Sequence, residues 1–181
     1  QGIFPASTEI SVPRFTENSH FYSYEDDLLF ATVVLPKGAS VPEDAVLQVQ
    51  PYLDLIYVDL KLADSAQHKA YTGVHNGRIK QNIRALLESA QRDKVVIRTP
   101  LIPGITATTE NIAAISRFIS SIYRDVSYEL LNYNPLASAK YHLVGRSYCF
   151  EQNFPKYTPD EMQSFAAIAR ENGVEKVLLD A

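Results

Sequence analysis

Residues 53–61, Leu53-Asp54-Leu55-Ile56-Tyr57-Val58-Asp59-Leu60-Lys61, form an apolar run that ends in charge. A run without clean polar alternation suits a strand covered on both faces. Strand side chains alternate, which puts Tyr57, Asp59 and Lys61 on one face and Ile56, Val58 and Leu60 on the other. With the second face against helices, an aspartate and a lysine stand at the carboxyl end of a buried strand. Open α/β sheets and barrels keep their chemistry at that end. The bland alternative is a solvated strand exit with an incidental ion pair.

The flanking chain sets this strand in an alternating pattern. Residues 1–27 mix Pro, Ser, Thr and Asn with scattered apolar residues, and Phe21-Tyr22-Ser23-Tyr24 is aromatic without a period. Residues 28–35 are the first convincing strand, ended by Pro36-Lys37-Gly38. Ser40 with Glu43 reads as a capping box for a short helix that Pro51 stops near Gln50. After the central strand, Asp64 or Ser65 opens a helical turn through Tyr71, broken by Thr72-Gly73. From about Asn76 to Ala90, Ile79, Ile83, Leu86, Leu87 and Ala90 recur at helical spacing. Lys94 to Thr99 is a strand, and residues 100–109 are a loop around Pro103-Gly104. Ile112, Ile115, Ile119 and Ile122 stripe the next helix, and a strand follows from Val126 to Leu131 or Asn132. Residues 134–155 read as a long irregular stretch. Thr158, Pro159 and Glu161 give the last helix a capping box with proline in its first turn, and Gly173 is placed to end it. Val174 to Leu179 is the final strand. Such alternation predicts parallel strands with right-handed crossovers. Five strands cannot close an eight-unit barrel of about 250 residues. The pattern therefore fits a small open sheet or the later part of a larger barrel.

Composition narrows the function classes. The 181 residues carry a formal net charge of -4, and no basic tract appears, which argues against nucleic acid as a partner. No apolar stretch approaches the roughly 20 residues that span a bilayer. No N-terminal basic and apolar signal is visible, and the chain starts at Gln1 without Met, so sequence upstream is expected. A single cysteine, Cys149, excludes an internal disulfide and a metal or iron-sulfur site built from several thiolates of this chain. Both features fit a reducing cytoplasm.

Arg98 ends its strand as Lys61 ends the central one, and Val96 shares its face. Glu129 and Asn132 lie near the end of the next strand, with Asn134 just beyond. Adjacent parallel strands would gather Asp59, Lys61, Arg98 and Asn134 on one rim. Two cations beside an amide suit a small carboxylate ligand, which Arg binds through two donors and Lys as a point charge. Asn134 offers a donor and an acceptor to a heterocycle or a ribose, or simply turns the chain before Pro135. An ordinary surface ion pair is the competing account of Arg98. His20, His68, His75 and His142 are not at metal-ligand spacing, and packing or capping is the cheaper account of His68. Cys149 reads as a buried small hydrophobe rather than a nucleophile. No catalytic residue and no metal ligand is assigned. The D-x-K-x-x-D spacing of Asp59, Lys61 and Asp64 resembles orotidine phosphate decarboxylases, but no Gly-rich phosphate loop follows a late strand.

Taken together, residues 52–61, residues 64–73 with His68, Asn76, residues 96–104 (Val96-Ile97-Arg98-Thr99-Pro100-Leu101-Ile102-Pro103-Gly104), residues 129–136 and residues 138–148 resemble the C-terminal part of a glycyl-radical-enzyme activating enzyme. This is the pyruvate formate-lyase activase branch of the radical S-adenosylmethionine superfamily, and order and spacing match from about residue 51 to 179. The resemblance implies an α/β fold: a partial radical-SAM (β/α) barrel over 28–181, with about five mostly parallel strands and flanking helices, preceded by an extension over 1–27. It implies an activity in which a [4Fe-4S] cluster, held by a C-x3-C-x2-C loop, supplies the electron that cleaves S-adenosylmethionine. The resulting radical takes hydrogen from a glycine of a partner glycyl radical enzyme. A flavodoxin or ferredoxin would be the electron donor. Lys61 and Arg98 would then contact the methionine carboxylate region, Asp59 would bind a nearby cation or orient Lys61, and Asn134 would lie beside the ribose or adenine. The cysteine loop and a Gly-Gly-Glu-Pro stretch are absent from these residues, and Phe30 to Gly38 lacks the usual acidic-Thr-x-Gly. The cluster is therefore expected in the parent and not in this chain, which reads as a fragment, a truncated product or a degenerate relative. The alternatives are a catalytically inactive binding or structural domain of the same origin, and a Lys/Asp-dependent α/β lyase using Lys61.

Overall fold

The computed structural model describes residues 50–135 and 154–180, together with residue 47 and the backbone of residues 19–23 and 29–33; Tyr52 is described by its backbone alone. Among the described residues the strands and α-helices are β1 (Ser19–Ser23), β2 (Leu29–Val33), β3 (Ile56–Asp59), α1 (Ser65–Thr72), α2 (Gly77–Glu88), β4 (Val95–Pro100), α3 (Thr109–Ser120), β5 (Ser127–Leu131), α4 (Pro159–Glu171) and β6 (Lys176–Leu179).

Strands β3 to β6 form a four-stranded parallel sheet in the order β3-β4-β5-β6. The order is sequential, with no reversal of the kind that marks a doubly wound sheet. The helices that line the core enter a single apolar cluster with the sheet. Ile83, Leu86 and Leu87 come from α2, Ile112, Ile115 and Ile119 from α3, and Met162 and Ala169 from α4. They meet Val95, Ile97, Tyr128 and Leu130 from the strands, with Val58 and Leu179 packed at the edge. Sequential parallel strands with helices on one face make a sector of a (β/α) barrel.

The helix boundaries follow local chemistry. Asp64 caps α1 by accepting from the Gln67 N–H at 2.7 Å, and Gly73 ends it at φ 85. Thr158 and Glu161 form a reciprocal capping box at the start of α4, with Pro159 in the first turn. Gly173 follows α4 at φ 99, and a Cβ there would stand 2.7 Å from Ser120 Oγ.

One expectation is corrected. Residues 29–33 are not the first strand of the parallel sheet: β2 pairs antiparallel with β1 in a separate two-stranded sheet, His20 opposite Thr32. The physical reason is the connection. Residues 24–28 are far too short for a parallel crossover, which needs a dozen or more residues, but ample for a hairpin. Among the described residues the parallel sheet has four strands, which agrees with the expected partial barrel of mostly parallel strands and flanking helices. The helix expected from Ser40, apart from residue 47 and a short turn at Gln50–Tyr52, and residues 136–153 of the irregular stretch expected over 134–155 lie outside the described residues.

Candidate functional site

The register of the sheet builds the site. Asp59 of β3 stands opposite Arg98 of β4, and Arg98 stands opposite Glu129 of β5, so the three share one row across the strands. Their neighbours Val58, Ile97, Tyr128 and Leu130 face the helices, which puts Asp59, Arg98 and Glu129 on the opposite face. Across the first pair, Arg98 Nε donates to Asp59 Oδ1 at 3.0 Å. The side chains are 32% and 40% exposed respectively. At that exposure the pair contributes little to stability, and its value is geometric. The Arg98 guanidinium also lies 4.6 Å above the ring of Tyr57, its diagonal neighbour on β3. Ring and carboxylate fix the plane of the guanidinium. Among the described residues only Nε of that group is engaged, so its terminal nitrogens remain to bind an acid in a bidentate fashion.

Lys61 follows two residues after Asp59 and is half-buried, and its ammonium makes no hydrogen bond or ion pair among the described residues. Its backbone is held closely. The Leu60 N–H continues the ladder to the Arg98 carbonyl at 2.9 Å. Four consecutive carbonyls beyond that point each accept from a side chain. Thr99 Oγ1 donates to Leu60 O at 2.7 Å, and Asn111 Nδ2 donates to Lys61 O at 3.0 Å. Asn76 Nδ2 donates to Leu62 O at 2.8 Å and to Ala63 O at 3.0 Å, and Lys80 Nζ reaches Ala63 O at 2.7 Å. Buried backbone groups must be paired, and here side chains do what a helix or sheet ladder would otherwise do. Tyr128, fully buried, supports Thr99 by donating to its Oγ1 at 2.9 Å. Burial pushes the Tyr128 phenol well above its ordinary range, so it stays a neutral donor.

The other residues singled out from sequence separate. Asn134 lies beyond the carboxyl end of β5, at the same end of the sheet, and is exposed. Asp59 meets Arg98 rather than Lys61. Buried His68 places Nδ1 2.8 Å from Val74 O, which closes the turn after α1 and fits the packing account of this residue. Asn132 holds the start of the last crossover through Tyr157, accepting from its N–H and donating to its carbonyl, both at 2.9 Å. His142 and Cys149 lie outside the described residues. Among the described residues no group of three His, Cys, Asp or Glu stands close enough to hold a metal. Thr99, Tyr128 and Asn111 escaped the sequence pattern, because polar residues inside an apolar stripe look like breaks in it.

No family model matches the chain. Among curated proteins it is 42% identical over 106 residues to the isethionate sulfite-lyase activating enzyme of Desulfovibrio desulfuricans, covering 59% of this chain and 34% of that protein. It is 32% identical over 149 residues to the indoleacetate decarboxylase activating enzyme of Tractidigestivibacter scatoligenes, covering 81% of this chain and 45% of that protein. Among solved structures it resembles a domain of pyruvate-formate lyase-activating enzyme from Bacteroides vulgatus, with a TM-score of 0.57 and 26% identity over 76% of this chain and 74% of the other. The chain thus spans between a third and a half of the length of these two curated relatives.

Proposed function

We propose, on the premise that the homologues of this chain are glycyl-radical-enzyme activating enzymes of the radical S-adenosylmethionine superfamily, that it forms the later part of such an activase. In this reading Lys61 and Arg98 hold the carboxylate end of S-adenosylmethionine. The supporting observation is the pairing at the strand ends. Arg98 is oriented by Asp59 and Tyr57 with its terminal nitrogens spare among the described residues, and Lys61 follows two residues after Asp59 at the same end of the sheet. Asp59 and Glu129 balance the two cations, so the fit to an acid rests on the directed terminal nitrogens of Arg98 rather than on net charge. Asn134 belongs to the same reading as a hydrogen-bonding group for the ribose or adenine.

The complete enzyme would cleave S-adenosylmethionine reductively and set a glycyl radical on a partner glycyl radical enzyme, with flavodoxin or ferredoxin as electron donor. A [4Fe-4S] cluster does not fit the residues of this chain: three thiolates are needed and the chain holds one cysteine. The cluster ligands would therefore come from another part of the parent. This chain's share of the work is to bind and orient the ligand. A cytoplasmic setting goes with that reading, and no helix among the described residues is long and apolar enough to cross a membrane.

The test is titration calorimetry with S-adenosylmethionine on the complete, anaerobically reconstituted enzyme carrying this chain. Lys61→Ala and Arg98→Ala should each weaken binding about tenfold to a hundredfold, the loss of one charge-assisted hydrogen bond of roughly 1.5–3 kcal/mol. Iron content should be unchanged, because the cluster is held elsewhere. Unchanged affinity in both variants would remove this rim as the carboxylate site and leave Arg98 with its surface ion pair to Asp59.

A further inference from the structure

We propose that Asn111 is a positioning residue that sets Lys61 against Arg98, by tying the chain that leaves β3 to the chain that leaves β4. The inference rests on Lys61 and Arg98 acting together on one ligand. Asn111 is buried in the first turn of α3 and uses every polar atom of its amide. Nδ2 donates to Lys61 O at 3.0 Å and to Thr106 O at 3.0 Å, while Oδ1 accepts from the Ala63 N–H at 2.8 Å. An N–H can only donate, so Ala63 fixes which end of the amide is oxygen.

The geometric consequence lies in the peptide planes. The bond to Lys61 O fixes the plane that follows Lys61, and the Thr99 Oγ1 bond to Leu60 O fixes the plane that precedes it. With both planes set, the direction in which Lys61 leaves the backbone is set too. On the other side, Thr106 is tied to the end of β4: its Oγ1 donates to Pro100 O and accepts from the Ile102 N–H at 2.6 Å. Pro100 is two residues from Arg98 on the same strand. One amide therefore references the Lys61 loop to the strand that carries Arg98. Thr99, Asn76 and Lys80 hold the flanking carbonyls of Leu60, Leu62 and Ala63, and of these donors Asn111 is the one on the carbonyl of Lys61 itself.

A double-mutant cycle on the complete reconstituted enzyme, read by titration calorimetry with S-adenosylmethionine, separates positioning from general weakening. Asn111→Ala should lower affinity roughly tenfold with Lys61 present, within the span of couplings seen between residues of one network. In a Lys61→Ala background the same substitution should cost nothing further. Thermal unfolding of each variant, followed by circular dichroism, records any loss of stability separately. Equal losses with and without Lys61, or no loss in either, would overturn the positioning role while Lys61 stays in the site. No loss in Lys61→Ala alone would instead overturn the carboxylate site, and this inference with it. If Asn111→Ala does not fold, Asn111→Ser, whose hydroxyl can hold one of the three backbone groups, is taken through the same cycle and judged by the same outcomes.

Discussion

The guanidinium of Arg98 lies over the ring of Tyr57, 4.6 Å from its centroid, while its Nε is bonded to Asp59. Tyr57 and Asp59 occupy alternate positions of β3, so both reach the same face beside β4. A strand with period two thus offers a platform and an anchor for one cation of the neighbouring strand. The ring is half exposed, which limits its energetic weight but leaves it free to shape the approach to Arg98.

Tyr57→Ala should therefore weaken S-adenosylmethionine binding by about twofold to fivefold, the equivalent of roughly 0.5–1 kcal/mol for an exposed cation–π contact. Tyr57→Phe keeps the ring and should bind as wild type. Calorimetric titration of both decides the matter: equal losses in the two variants would assign the effect to the hydroxyl and remove the platform.

Thr99 offers a test of the buried scaffold. It donates to Leu60 O and accepts from Tyr128. Tyr128→Phe removes one neutral bond, at a cost of roughly 0.5–1.5 kcal/mol. Thr99→Val leaves both the Leu60 carbonyl and the Tyr128 hydroxyl buried without that partner, each costing roughly 1–3 kcal/mol. Urea denaturation should rank Thr99→Val as clearly the more damaging. The reverse order would mean that Thr99 is not the hinge of this network.

How far the chain could be read without coordinates depends on the range of the forces involved. Helix ends are local: Thr158, Pro159 and Glu161 sit within one turn, and Asp64 reaches only to Gln67. The Asp59–Arg98 row was legible too, because strand parity and parallel neighbours leave few ways to place those side chains. Asn111 was not. Its partners are carbonyls and an N–H, groups that every residue carries, and the Lys61 carbonyl lies 50 positions away in the chain. The β1–β2 hairpin was missed for a related reason. The strand at residues 29–33 had the right composition, but its partner shows no alternation, and pairing direction is set by the short connection between them.

Gly173 is constrained by both backbone and space. At φ 99 an L side chain is strained, and a Cβ would meet Ser120 Oγ at 2.7 Å and Ser120 Cβ at 3.2 Å. Gly173→Ala should destabilise the chain by about 1–2 kcal/mol from the backbone conformation alone. Pairing it with Ser120→Gly, which clears the contact, should recover only part of the loss. Full recovery in thermal unfolding would show that crowding and not φ dominates.

The capping box of α4 should make stability depend on acid in a defined direction. Glu161 Oε2 accepts from the Thr158 N–H at 2.8 Å and from Thr158 Oγ1 at 2.9 Å. The backbone bond first, then the hydroxyl bond, hold the Glu161 carboxyl below its ordinary range. A depressed folded value means that the unfolded chain takes up its proton first as pH falls. The contribution of the charge is therefore fully present above the unfolded glutamate value of about 4.3, and it is lost as pH falls through the folded value. Glu161→Gln keeps an oxygen for the two bonds and removes the charge, which isolates this effect from the other carboxylates of the chain. Urea midpoints of wild type and variant, measured from neutral pH downward, should differ by a constant amount down to about pH 5 and then converge. A gap that stays constant into strong acid would show that the charge of Glu161 adds nothing to the cap, and that Thr158 holds the helix start by its own hydroxyl.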